Sequence, residues 1–473
     1  MVAVARRVLT ENGFEPEMPE GIARTIPDDP DVDVVDLMHL PWSSIDNDDS
    51  RDLDQIEYAE RLDDGSIRLH VGIADVDTFA PKGSPIDRHA FANTASLYTG
   101  IRVFPMLPFE LSEHRTSLLE GGERLAVVTE MVVRRDGSLD EHQTKIYPAR
   151  VKNHAKLVYE RVGAWLEGDS NAKPVDGMAE QLELQDEAAQ ALRRRRYELG
   201  ALDFETIEAR PVAKDGKIVD LQIVHKNRAR ELIEDLMIAA NGATARYLET
   251  RGASSIRRVV RAPKRWPRIV ELAFELGHKL PANPDAVALA EFLDARKKAD
   301  PTRFGDLSLS IVKLIGPGEY ALQRAEDPDT GHFGLAVDDY AHSTAPNRRY
   351  PDLVTQRLLK AIAAKKKVPY TDDELIEIAG HCTERENAIR KVERLIRKIA
   401  AAVLLTPRIG ETFDAIVTGV ADKGTFARLL RPPAEGRVVT GEHGLDVGDR
   451  IKVRLVDTEP MRGFIDFAAL GRH

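Results

Sequence analysis

The chain changes character at Thr406-Pro407, and that break constrains its fold more than any other feature. Before it, residues 372–403 read as one long amphipathic helix. Leu375, Ile376, Ala379, Cys382, Ile389, Val392, Ile396, Ile399 and Val403 recur there largely at three- and four-residue steps. After it come five short β-rich runs, GETFDAIVTGV, KGTFARLL, GRVVTGEHG, DRIKVRLVDTE and FIDFAAL, separated by Gly, Pro and Asp. That spacing predicts a small closed five-stranded barrel of the OB type, with a domain boundary near 405.

Upstream of the break the pattern is α/β (α+β). IRLHVGIADV (67–76) and LAVVTEMVV (125–133) are apolar enough for buried strands, and Asp136-Gly137 marks a turn after the second. Helical patterns follow at about 178–199, 227–250, 268–280 and 286–299. Residues 1–40 are Pro- and Asp-rich after one short helical pattern, Val2 to Leu9, and read as a lead-in segment. The expected organisation is therefore a lead-in over 1–40, a domain with a mixed sheet and surrounding helices over 41–404, and the barrel over 405–473.

A length of 473 residues suits two or three domains, and 42% hydrophobic with 31% charged residues is a globular balance. No run approaches the ~18 apolar residues of a membrane span, and the N-terminus meets charge too early for a signal peptide. One cysteine, Cys382, excludes an internal disulfide framework and a Cys-based zinc cluster. A cytoplasmic protein with no membrane partner is expected. The net charge of −11 argues against a basic surface, but residues 1–60 alone hold 4 Lys+Arg against 16 Asp+Glu. Elsewhere basic clusters recur: Arg193 to Arg196, Arg257 with Arg258, and Arg348-Arg349. Each reads either as a solvated helix face or as part of a local channel for a polyanion.

The most informative stretch is SSIDNDDSRDLDQ (43–55), with five aspartates in nine residues between β-like runs. Mg²⁺ requires oxygen ligands, and Asp46, Asp52 and Asp54 supply carboxylates if the chain turns tightly between them. Two such ions can activate water and stabilise the leaving oxygen of a phosphodiester. The competing readings are a solvated turn and a calcium loop, whose glycine and distal glutamate are missing.

SSIDNDDSRDLDQI resembles the signature of the ribonuclease II (RNB) family of exoribonucleases. Further blocks resemble that family in the same order: HVGIADV with Gly83-Ser84-Pro85-Ile86-Asp87, then Tyr98 with FPMLPFELSEHRTSL. GALDF (200–204) with Glu208, ELIEDLMIAAN (231–241) and AHSTAPNRRYPDLVTQRLL (341–359) follow. The C-terminal barrel resembles an S1-type RNA-binding domain, on KGTFARL and DVGDRIKV.

The resemblance implies a 3′-to-5′ processive hydrolytic exoribonuclease that degrades single-stranded RNA to nucleoside 5′-monophosphates with Mg²⁺, for which Mn²⁺ can substitute. It implies metal ligation by Asp46, Asp52, Asp54 and the position of Gln55, where the family usually has Asp. Asp54 aligns with the family's most critical carboxylate, and Asp52 stands beside it in the catalytic set. Arg348 aligns with the arginine at the scissile phosphate, to which a guanidinium offers a planar fork; a surface salt bridge is its alternative. Arg349 follows it as a further RNA contact. Ser343 to Pro346 read as a helix start whose N–H groups face phosphate.

Tyr98 aligns with a tyrosine packing on the 3′-terminal nucleotide. Phe204 is the candidate for stacking at the other end, or else a core aromatic. Glu393 matches a glutamate supporting the arginine, or is a solvated helix residue. Phe413, Lys423, Phe426 and Arg428 are candidate RNA contacts of the barrel, and each phenylalanine could equally be core. The family's N-terminal cold-shock domains have no counterpart in the sequence, so RNA capture is expected to rest on the channel and one barrel. The protein is expected to act as a monomer without an obligate protein partner. The rival expectation, motivated by Gln55, is an RNA-binding protein of the same fold with weakened catalysis.

Overall fold

The computed structural model describes every residue except Asp31, Asp176, 206–208, 215–216, 224–225, Asp329, 422–423 and His473. After helix α1 (Val2–Glu11) come β1 (Val35–Asp36), β2 (Trp42–Asp46), β3 (Gln55–Arg61), β4 (Ile67–Ala74) and helix α2 (Pro85–Asn93). A two-residue ribbon, β5 (Leu97–Tyr98) with β6 (Val103–Phe104), precedes β7 (Glu123–Val133) and β8 (Lys145–Val158).

The mixed sheet expected from the sequence is present, and it closes on itself. Strands β2, β3, β4, β7 and β8 pair antiparallel in succession. The second half of β8 then pairs parallel with β2, from Trp42 opposite Asn153 to Asp46 opposite Val158. Closure depends on the length of β8, whose 14 residues reach β7 with one half and β2 with the other.

Side chains alternate across these strands, and they segregate into two cores. Leu69, Val71 and Ile73 pack with Leu182 of α4 (Ala179–Glu198) and Leu236 of α5 (Arg228–Glu249), beside α3 (Tyr159–Leu166). Trp42, Ile56 and Val128 face a second set of helices that comes later in the chain. Strands β9 (Ala209–Lys214) and β10 (Lys217–Ile223) form a hairpin, and β11 (Ser255–Val259) pairs with β12 (Glu319–Gln323). Helices α6 (Trp266–Glu275), α7 (Ala286–Ala299) and α8 (Pro301–Ile315) pack around Trp266, Phe292 and Phe304. Helix α9 (Tyr350–Ala363) covers the Trp42 core through Leu353 and Leu358.

Helix α10 (Asp372–Leu405) is opened by a capping box between Thr371 and Glu374. Its 34 residues span about 50 Å and join three cores in turn. Leu375, Ile378 and Cys382 lie in the Trp42 core. Ile389, Val392 and Ile396 pack on Ala5, Val8 and Leu9 of α1. Ala401, Ala402 and Leu405 enter the C-terminal barrel. That barrel closes in the order β13 (Thr412–Ala421), β14 (Gly424–Leu429), β15 (Glu435–Thr440), β17 (Phe464–Arg472), β16 (Arg450–Glu459), as the five runs predict. Among the described residues, no helix is long and apolar enough to cross a membrane.

Candidate active site

The aspartate loop leaves β2 at Asp46 and re-enters the first barrel at Gln55. One buried side chain fixes its second half. Leu53 is 1% exposed, its N–H donates to Ser117 Oγ (3.0 Å), and its carbonyl accepts from Leu118 N–H (3.0 Å). Ser117 Oγ in turn donates to the Arg51 carbonyl at 2.5 Å. With Leu53 turned into the core, the extended backbone sends Asp52 and Asp54 to the opposite side together.

Asp54 is 2% exposed. Its Oδ1 accepts the Asn347 N–H (2.9 Å), while Oδ2 is buried without a hydrogen-bond partner, 3.5 Å from Arg348 Nε. Burial pushes this carboxyl up to about 8, against the opposing pull of Arg348 and the Asn347 N–H; Asp52 and Asp352 add to the rise. The Tyr98 hydroxyl donates to Asp52 Oδ2 at 2.6 Å, and burial beside that carboxylate raises its own pKa. The fold thus gathers Asp52, Asp54, Tyr98 and Arg348, with nearly half the Arg348 side chain (46%) open to solvent.

The segment carrying Arg348 is locked from behind. Ser343 donates through N–H and Oγ to Asn241 Oδ1 (both 2.8 Å), and the Ala345 N–H donates to Asp352 Oδ1 (2.9 Å). Thr116 Oγ1 donates to Asn347 Oδ1 (2.6 Å), and the Arg348 carbonyl accepts from Ser96 N–H (3.0 Å). The helix start expected at Ser343 to Pro346 is corrected: α9 begins at Tyr350, and the Ser343 and Ala345 N–H groups are taken by Asn241 and Asp352. Asn241, Asn347 and Asp352 were missed in the sequence. Asn241 reaches backbone 102 residues away and Asn347 joins the remote Asp54 and Thr116, which no local pattern signals, while Asp352 holds Ala345 and Arg349 within its own segment.

The gathering of Asp46 with Asp52 and Asp54 is also corrected. Asp46 Oδ1 accepts from Asn47 N–H (2.7 Å) and Ser50 Oγ (2.8 Å), and Arg230 Nη2 holds Asn47 Oδ1 from α5 (3.1 Å). Among the described residues no group of three or more His, Cys, Asp or Glu forms a metal cage. Mg²⁺ typically keeps several waters and takes only one or two protein carboxylates beside substrate phosphate. The Asp52–Asp54 pair, with its orphaned buried oxygen, fits that donor set. Gln55 is half-buried at the start of β3.

The remaining candidates scatter. Arg349 is half-buried and donates to Asp352 Oδ1 (2.7 Å). Phe204 is half-buried against the Trp266 core, and Glu393 is half-buried on α10. In the second barrel Phe413 is core, Phe426 is half-buried, and Arg428 pairs with Asp306 of α8 at 3.6 Å. Lys423 and Glu208 lie outside the described residues. The basic clusters are largely spent inside the fold: Arg193 and Arg196 on Asp235, Arg257 on Glu249, and Arg258 on Glu386.

Comparison with known proteins agrees with this architecture. The RNB domain matches residues 34–365, and the RNase II-type exonuclease C-terminal S1 domain matches residues 411–470. Ribonuclease R of Escherichia coli (strain K12) is 31% identical over 489 residues, covering 95% of this chain and 59% of that protein. Ribonuclease R of Thermotoga maritima is 30% identical, covering 91% of this chain and 64% of that protein. The chain therefore spans about three fifths of the length of these curated relatives. The apo form of Mycoplasma genitalium RNase R superposes with a TM-score of 0.88 at 23% identity, covering 99% of this chain and 78% of that one. Yeast Ssd1, a pseudonuclease, shares the fold with a TM-score of 0.73 at 18% identity, covering 96% of this chain and 57% of that one. Two ordered domain matches and relatives aligned along nearly the whole chain leave one assignment: this protein belongs to the ribonuclease II (RNB) family.

Proposed function

We propose that the protein is a 3′-to-5′ exoribonuclease that hydrolyses single-stranded RNA to nucleoside 5′-monophosphates with a divalent cation, Mg²⁺ or Mn²⁺. The observation that carries the proposal is the buried, orphaned Asp54 oxygen beside Asp52 and the half-open Arg348. A second acid and a guanidinium at a carboxylate of this kind are what phosphodiester hydrolysis asks for. Asp52 and Asp54 would hold the cation, which when bound lowers the pKa of water and neutralises developing charge.

The other roles belong to the chain's own groups. Arg348 is placed to exchange its contact with Asp54 for the scissile phosphate, offering a forked, permanently charged donor. The Asn347 N–H keeps Asp54 oriented during that exchange. Tyr98 orients Asp52 through its hydroxyl and offers its ring to the terminal nucleotide. RNA binding by the relatives supports the substrate class: Mycoplasma genitalium RNase R has been solved with ribose-methylated single-stranded RNA and with double-stranded RNA.

The test is digestion of a 5′-end-labelled oligoribonucleotide with Mg²⁺ by the parent protein, Asp54→Asn and Arg348→Ala. Stepwise shortening with mononucleotide release by the parent alone is expected. No mononucleotide from the parent would overturn the proposal in favour of the RNA-binding reading that Gln55 motivates.

A further inference from the structure

Residues 390–398 of α10 hold five basic side chains and one acid, in a chain whose net charge is −11. At about 100° per residue, Arg390, Lys391, Arg394 and Lys398 fall within an arc of about 100°, and all four are exposed. The opposite face carries Ile389, Val392, Ile396 and Ile399 into the core shared with α1. Arg390 is held by Glu386 at 2.5 Å, one turn back. The side chains of Lys391, Arg394 and Lys398 have no ion pair or hydrogen bond among the described residues. A solvated helix face gains from opposite charges four residues apart, whereas Arg390, Arg394 and Lys398 repeat one sign at that spacing, which costs helix stability.

The stripe also leads somewhere. At the level of Ile389 and Val392 the inner face of α10 packs on Leu97 and Phe104, which belong to the ribbon that carries Tyr98. At the far end the second barrel docks on Lys398 through Gly463, whose φ is +68° and on which a Cβ would lie 2.6 Å from the Lys398 Cβ. Its neighbours are Arg462 and Phe464, with the guanidinium 4.9 Å from the ring centroid. Arg462 is exposed and pairs only loosely with the exposed Glu459 (3.6 Å). Phe464, at 49%, is the one exposed phenylalanine among the described residues of the barrel. Four cations in line with an exposed aromatic suit a single strand, whose phosphates follow the charges while a base stacks on the ring. A membrane surface fits less well, because the apolar face that an interfacial helix would insert is already buried.

We propose that this ridge is a binding track for single-stranded RNA outside the catalytic site: Lys391, Arg394 and Lys398 meet successive phosphates, and Phe464 stacks a base at the barrel end. The inference rests on the RNA-degrading reading of the preceding section.

The experiment is equilibrium binding of end-labelled oligoadenylate to the full chain in a chelator, at a series of salt concentrations, with thermal unfolding as the folding control. Lys391→Gln/Arg394→Gln/Lys398→Gln removes the charges and keeps good helix formers. It should weaken an RNA of about 20 nucleotides by at least about tenfold at low salt, and flatten the slope of log K against log salt by about 2. An RNA of about 4 nucleotides, confined to the catalytic site, should lose little. Phe464→Ala should weaken the longer RNA at least about fivefold and keep the salt slope. Lys365→Gln/Lys366→Gln/Lys367→Gln makes the same charge change at an exposed run after α9 and should bind as the parent does. An unchanged slope in the α10 variant, equal losses for both RNA lengths, or the same loss in the control overturns this inference and leaves the proposed function standing. Length-dependent binding through the ridge by a parent that releases no mononucleotide supports the track and overturns the nuclease reading. A parent that binds neither RNA overturns both.

Discussion

The molecule contains two closed five-stranded barrels, and they are filled differently. In the C-terminal barrel Val417, Leu429, Val438, Ile451, Val453, Leu455, Ile465 and Phe467 make a dry core, and Thr425 is the one buried polar residue among those described. In the first barrel Ser43, Ser44, Glu57, His70, Thr129, Glu130 and Asn153 are all buried, with Asp54 at its rim. Apolar packing among the described residues gives the second barrel a core with little buried polarity. The first sacrifices part of that packing to hold carboxylates where water does not screen them. Closed barrels of the same strand number can thus be a support or a reaction vessel, depending on whether buried polar groups are completed from within.

That contrast can be broken most directly at Asp54. Asp54→Asn keeps the Asn347 hydrogen bond and removes the charge, so it should lower kcat about 10³-fold or more while leaving RNA affinity within a few-fold, read by single-turnover digestion and filter binding. Arg348→Ala should cost about 10²–10³ in kcat, with Arg348→Lys recovering only part because an ammonium lacks the fork. The matching change in the other barrel, Phe467→Ala, should cost about 3–5 kcal/mol of stability in denaturant melts, with little change in chemistry per folded molecule at low temperature. A large kcat loss in that variant would erase the division of labour.

A pH series sharpens the comparison. Without a cation, burial pushes the Asp54 carboxyl up to about 8 from the ordinary carboxyl value of 3.8. The folded state therefore binds the extra proton between these values, and stability falls as pH rises through them. Asp54→Asn should raise the Tm of the cation-free protein above pH 8 and leave it unchanged below pH 4, by calorimetry. The smallest effect is expected at Arg428, which ties the second barrel to Asp306 of α8. Arg428→Ala should cost about 1–3 kcal/mol in barrel stability and leave the rate of the chemical step untouched.

Much of this was legible in the residues, and the failures share one cause. The five C-terminal strands and the helix from 372 could be read because their periodicities are local and uninterrupted. Closure of the first barrel could not, since it depends on β8 meeting β7 and β2, partners far apart in the chain. Asp52, Asp54 and Arg348 stood out by motif. The burial of Glu57 did not, because an acid alternating with Ile56 and Tyr58 reads as facing water until α4 covers it. Arg349 looked like the twin of Arg348, yet consecutive side chains diverge, and Asp352 captured it.

Helix α10 carries a consequence of its own. It runs unbroken from the core behind the aspartate loop into the second barrel, so the two barrels are mounted on one axle and not strung on a cord. An axle fixes heading as well as distance. A single added residue would swing the C-terminal barrel by about 100° around it, pointing any strand it guides away from the mouth where cleavage is proposed to occur.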